Sequence, residues 1–181
     1  MTIKDNSQRY GQVSRLLHWA MALLILWQFM SAGAHFLFDE TAVEAFFWPT
    51  HKPVGFLILI LAVIRVIWAL VNVVNRPKAV TLISKLGHIS LYLLLLAIPI
   101  VALLRQYGSG RSFEPFGIPV FSGFEGEKIK WMTDLGSNFH STLGWILLAL
   151  IVGHIAMAVW HRKSKNQQDV LPRMWGKSQK G

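Results

Sequence analysis

Residues 139–154 read FHSTLGWILLALIVGH, a run with no charged side chain and a histidine near each end, His140 and His154. Such a run belongs in lipid, where imidazole is poorly solvated. At ~1.5 Å rise per residue the 14-residue interval separates the two histidines by ~21 Å along a helix. At ~100° per residue they differ by about 40° in azimuth, so they share one face. A helix that carries two polar rings on one face, one toward each end, needs a partner for each.

The rest of the chain supplies the surroundings. Its 181 residues are enough for one domain, 53% are hydrophobic and only 15% are charged, with a mean hydropathy of +0.42. That balance marks a membrane protein. Leu16 to Phe38 lacks Lys, Arg, Asp and Glu; Pro53 to Asn75 has one charge, Arg65; Leu86 to Leu104 and Leu135 to His161 begin and end two further long apolar runs. Each reaches the ~20 residues that cross a bilayer. The expected fold is an all-α integral membrane protein, a four-transmembrane-helix bundle in a single domain 1–181. Helices are expected at 14–37, 53–75, 84–106 and 138–161, with a long connection over 107–134 and a basic tail over 162–181. Ser31-Ala32-Gly33-Ala34 resembles a signal-peptide cleavage site. Because the apolar run continues through Phe36-Leu37-Phe38, an uncleaved first helix is expected.

Charge sets the expected orientation. The formal net charge is +9, yet no long basic run or nucleic-acid motif accompanies it, so no nucleic-acid partner is expected. Lys4, Arg9 and Arg15 precede the first span. Arg76, Lys78 and Lys85 lie between the second and third. Arg162, Lys163, Lys165, Arg173, Lys177 and Lys180 follow the fourth. Asp39, Glu40, Glu44, Glu114, Glu125, Glu127 and Asp134 fall in the other connections. The positive-inside rule then places both termini in the cytoplasm and 107–134 outside, in the periplasm if the source is Gram-negative. Trp19, Trp48, Trp131 and Trp160 near span ends read as interfacial anchors in the membrane lipid.

With that topology the histidines pair by depth. His18 enters the first span from inside, level with His154; His51 precedes the second span from outside, level with His140. Two histidines per level fall short of a closed zinc site. They suffice for haem iron, whose macrocycle supplies the other four ligands. The absence of cysteine rules out covalent attachment and thiolate ligation. Two stacked b haems are therefore expected, with His18 and His154 on the cytoplasmic-side haem and His51 and His140 on the outer one. Gly55 and Gly144 each follow a histidine by four residues, one turn on, where a missing side chain admits a ring edge. Arg65 follows His51 by 14 residues, faces the interior at the inner level and calls for an anionic partner, for which a haem propionate is the candidate. His88 and His161 open the third span and close the fourth on the cytoplasmic side, as candidate quinone or propionate contacts. His35, about 100° around from His18, faces elsewhere.

Leu17-His18-Trp19, His51-x-x-x-Gly55 with Arg65, Leu86-Gly87-His88-x-x-x-Tyr92 with Ala97-Ile98-Pro99, the pair His140 and His154, and His161 with Asp169-Val170-Leu171-Pro172-Arg173-Met174 occur in that order. In these pieces the chain resembles the bacterial cytochrome b561 family, grouped with the b-type cytochrome subunits of nickel hydrogenases. The resemblance covers nearly the whole chain. It implies a di-haem b-type cytochrome with the same four axial histidines, exchanging electrons with the quinone pool and having ubiquinone as redox partner. It further implies, for some members, electron transfer from superoxide to ubiquinone, and for others service as the membrane subunit of a larger oxidoreductase. A homodimer, a partner subunit or a periplasmic redox protein fits the same reading. Lys52, Arg105, Arg111, Lys128 and Lys130 could attract superoxide outside, although seven acids share those connections. The rival from another class is a proton or ion transporter using the histidines as a relay.

Overall fold

The computed structural model describes residues 2–164 and 166–175. Lys165, Lys177 and Lys180 of the basic tail lie outside the described residues. Four long helices carry the fold: α1 (Gln12–Leu37), α3 (His51–Val71), α4 (Leu82–Gly108) and α5 (Lys130–Lys163). The short helices α2 (Ala42–Phe47) and α6 (Leu171–Trp175) join the first two long helices and follow the last. Among the described residues the extended pairing is a single bridge between Phe113 and Phe121. All four long helices are long and apolar enough to cross a membrane, the second counted together with α2 as Ala42–Val71. The protein is a multi-pass, all-helical membrane protein.

Its buried centre is small: Met21, Ile58, Ala62, Leu95 and Leu147, one to two residues from each long helix. Leu16, Ile67 and Ile83 point outward. Lipid tails are as apolar as leucine, so outward-facing side chains of this kind carry no penalty and a small core suffices. The most extensive helix pairing is α4 along α5.

Both described ends of the chain meet at one end of the bundle, here the proximal end. The Tyr10 amide donates to the Arg173 carbonyl at 3.1 Å, and the rings of Trp19 and Trp175 lie edge to face at 4.8 Å. The N-terminal arm is fastened to α3 by the buried Asp5. Its Oδ1 accepts from the Gly11 amide at 2.8 Å and the Ser14 hydroxyl at 2.6 Å. That puts a carboxylate at the positive N-terminus of α1, whose glycine cap has no side chain to offer. Ser14 Oγ in turn accepts from Trp68 Nε1 at 2.9 Å, and Arg76 pairs with Asp5 and stacks over the Tyr10 ring. Burial pushes the Tyr10 phenol up from its ordinary range, against the opposing pull of Arg76.

The helix limits correct the expectations in three places. The second span runs over 51–71 rather than 53–75, so His51 is its first residue instead of preceding it. It stops early because the Asn72 side chain donates to the Trp68 carbonyl at 2.9 Å, a local bond that competes with the helix. Pro77 then forbids its resumption. The fourth span begins at Lys130 rather than 138, which shortens the 107–134 connection to 109–129. The added turns are polar, so apolar run length could not detect them; the pair Lys130–Asp134 at 2.6 Å, spaced i and i+4, supports them. Gly136 lets them lie against α4: a Cβ there would collide with the Arg105 side chain and, at 2.5 Å, with the Val101 carbonyl. The third correction is α2, which no sequence signal announced; Thr41 caps it by accepting from the Glu44 amide.

Candidate functional site

Six of the seven histidines lie at two levels. At the distal end, opposite the termini, the rings of His51 from α3 and His140 from α5 have centres 6.1 Å apart. At the proximal end, the rings of His18 from α1 and His154 from α5 are 6.3 Å apart. These are the two combinations expected from depth. His88 of α4 also reaches the proximal level, its ring 5.3 Å from that of His154. His161, in the last turn of α5, is buried with no hydrogen-bond partner for Nδ1 among the described residues.

The separations can be tested against an iron held between two imidazoles. A metal–nitrogen bond of ~2.0 Å on each side, with ~1.1 Å from each donor nitrogen to its ring centre, places the ring centres about 6.2 Å apart. Both pairs meet that distance. His88 and His154 are too close for it, which singles out His18 as the fitting partner of His154. Hydrogen bonds bear on which nitrogen carries the lone pair. The Nδ1 of His140 faces the Ile98 carbonyl at 3.2 Å. A carbonyl only accepts, so Nδ1 holds the proton and Nε2 keeps its lone pair. His51 Nδ1 lies 2.7 Å from Ser31 Oγ. At the proximal level, Arg65 Nη2 lies 3.1 Å from His18 Nδ1. Guanidinium only donates, so in this arrangement His18 Nδ1 accepts. A carboxylate is a much stronger partner for that guanidinium and would free the ring. The donor set and spacings therefore fit b-type haem at both levels, with Arg65 repositioned at one.

The family model of the prokaryotic cytochrome b561 matches residues 9–177. The chain belongs to this family. Cytochrome b561 homolog 2 of Escherichia coli (strain K12) is 29% identical over 189 residues, covering 98% of this chain and 97% of the relative. As a prokaryotic cytochrome b561, the protein is a b-type membrane cytochrome that works in electron transfer.

The remaining expected residues fall as follows. The Arg65 guanidinium stays inside the bundle, beside His18 and 5.5 Å from the centre of the Tyr92 ring. Among the described residues no carboxylate pairs with it. A Cβ at Gly144 would meet nothing within 4 Å. Gly55 instead faces α1, where a Cβ would lie 3.1 Å from Gln28 Nε2. His35 is on the distal surface, bonded to Glu44 and stacked on Trp48 at 3.8 Å between ring centres. Two site residues escaped the sequence reading, Gln28 and Ser31 of α1. The available signal was an uncharged polar pair three residues apart in an otherwise apolar span.

Proposed function

We propose that this cytochrome b561 carries two b haems, His18 and His154 holding the cytoplasmic-side one and His51 and His140 the outer one, and passes electrons between them and the quinone pool. The observation that carries the reading is the pair of ring separations, 6.3 and 6.1 Å, at opposite ends of one bundle. Haem supplies reversible one-electron chemistry, and two histidines per iron leave no open position for oxygen. The chain's own part is to hold four imidazoles at two depths, keep water from them with apolar helices, and deliver protons where quinone is reduced.

Several features support a quinone site at the proximal end, which the positive-inside reading assigns to the cytoplasm. His161 offers a buried nitrogen without a hydrogen-bond partner among the described residues. His88 donates Nδ1 to the Ser84 carbonyl at 2.6 Å, leaving Nε2 able to accept. A groove of about 440 Å³ lined by Gln12, Arg15, Leu16, Trp19, Met174 and Trp175 lies at the same end, and its Trp19 ring is 5.1 Å from that of His18. Flat indole faces and amide or guanidinium donors suit a quinone head. Reduction to quinol takes two electrons and two protons, and histidine titrates in the range needed to supply the latter. Superoxide as electron donor is a second reading. It draws on a distal cleft of about 300 Å³ lined in part by Lys52, but Glu114 lines the same cleft and offsets the charge.

Single substitutions test the ligands. His18→Ala or His154→Ala should remove one haem component, and His51→Ala or His140→Ala the other; retention of both haems in all four variants refutes the assignment. For the quinone, reduced protein in liposomes is mixed anaerobically with ubiquinone. Oxidation of the haems is expected, slowed at least tenfold in His161→Ala with haem content intact. An unchanged rate removes His161 from the site, and no oxidation in the unaltered protein shifts the reading to a haem-bearing anchor for a partner oxidoreductase.

A further inference from the structure

Ser31 is the only fully buried hydroxyl among the described residues of α1 apart from the 4%-exposed Ser14, and it touches a candidate ligand. Its Oγ lies 2.7 Å from His51 Nδ1 and 2.9 Å from the Gln28 carbonyl. A hydroxyl has one proton and a carbonyl has none. Only one arrangement satisfies both contacts: the Ser31 proton goes to the Gln28 carbonyl, and Ser31 Oγ accepts the Nδ1–H of His51. His51 is then locked in the tautomer whose Nε2 lone pair is free. The same turn of α1 grips His51 a second time, because Gln28 Nε2 donates to the His51 carbonyl at 3.0 Å. Gly55 makes room for that amide. Trp48 closes the assembly, its ring 4.8 Å from that of His51.

We propose that Gln28 and Ser31 form a clamp that orients the His51 ring, fixes its tautomer and sets the reduction potential of the outer haem. The proposal rests on His51 being a ligand of that haem. Ser31 is a positioning residue in it, acting through His51. A hydrogen bond accepted from Nδ1–H makes Nε2 a stronger electron donor, which favours ferric over ferrous iron and lowers the potential. Among the described residues the proximal pair has no equivalent: no hydroxyl or carbonyl bonds a ring nitrogen of His18 or His154, and the one polar contact there is His18 Nδ1 with the Arg65 guanidinium. The clamp therefore separates the two haems electronically, although both have the same ligand types.

The test is a redox titration of the full chain in detergent, with the low-spin ferric resonance spectrum recorded alongside. In Ser31→Ala the outer component should become easier to reduce. At the potential where it is half reduced in the unaltered protein, its ferrous-to-ferric ratio should rise roughly three- to tenfold. The inner component should not move. Ser31→Thr, which keeps the hydroxyl, should restore the original ratio. Unchanged potentials and resonance in Ser31→Ala, with two haems present, overturn the clamp. Should Ser31→Ala lose the outer haem while the inner one persists, Ser31→Thr decides: haem regained at the original potential supports the clamp, and haem still absent overturns it. His51→Ala separates the two levels of the argument. If that variant keeps the outer haem, the ligand assignment has failed rather than the clamp.

Discussion

Imidazoles in hydrocarbon need partners, and here each candidate ligand finds one on another helix. Depth arithmetic could find the pairs because helical rise and alternating span direction fix height without any knowledge of side-chain packing. It could not find Ser31 or Gln28. Their role depends on how α1 is rotated toward α3, which spacing within one helix does not encode, and the small residues around Ser31 mimic a cleavage site instead. Arg65 is the residue with the clearest consequence. In the proposed two-haem arrangement, a half-buried cation at the level of the inner haem would stabilise the reduced, more negative state. Arg65→Leu should lower the inner potential, so that at the original midpoint the ferrous-to-ferric ratio falls about tenfold. A redox titration that leaves the inner component in place would mean that the guanidinium acts elsewhere.

Among the elements, the membrane-embedded parts of the four long helices were legible as apolar runs, and their ends were not. Helix ends are set by local bonds: Asn72 to the Trp68 carbonyl closes α3, and the Lys130–Asp134 pair helps open α5 at Lys130, ahead of the apolar run that begins at Leu135. Short α2, six residues long, is too brief to show a helical period. The polar start of α5 leans on α4 through Gly136, where any side chain meets Arg105 and the Val101 carbonyl. Gly136→Leu should force these helices apart at the distal end and cost about 1–3 kcal/mol. A thermal unfolding midpoint equal to that of the unaltered protein would show that the contact yields freely.

Across the whole molecule, the two histidine levels sit at opposite ends of a bundle whose described ends are tied together at one of them. Asp5, Ser14, Trp68 and Arg76 fasten the arm, and Trp19 with Trp175 fastens the tail. This architecture suits the proposed path, in which an electron passes between two haem levels at opposite ends of the bundle. The central claim is that one chain holds two b haems. Haem extracted from pure, haem-saturated protein and quantified against protein by the pyridine adduct spectrum tests it directly. The account predicts two haem b per chain, falling to one when either histidine level is disrupted; one haem or none in the unaltered protein would contradict it.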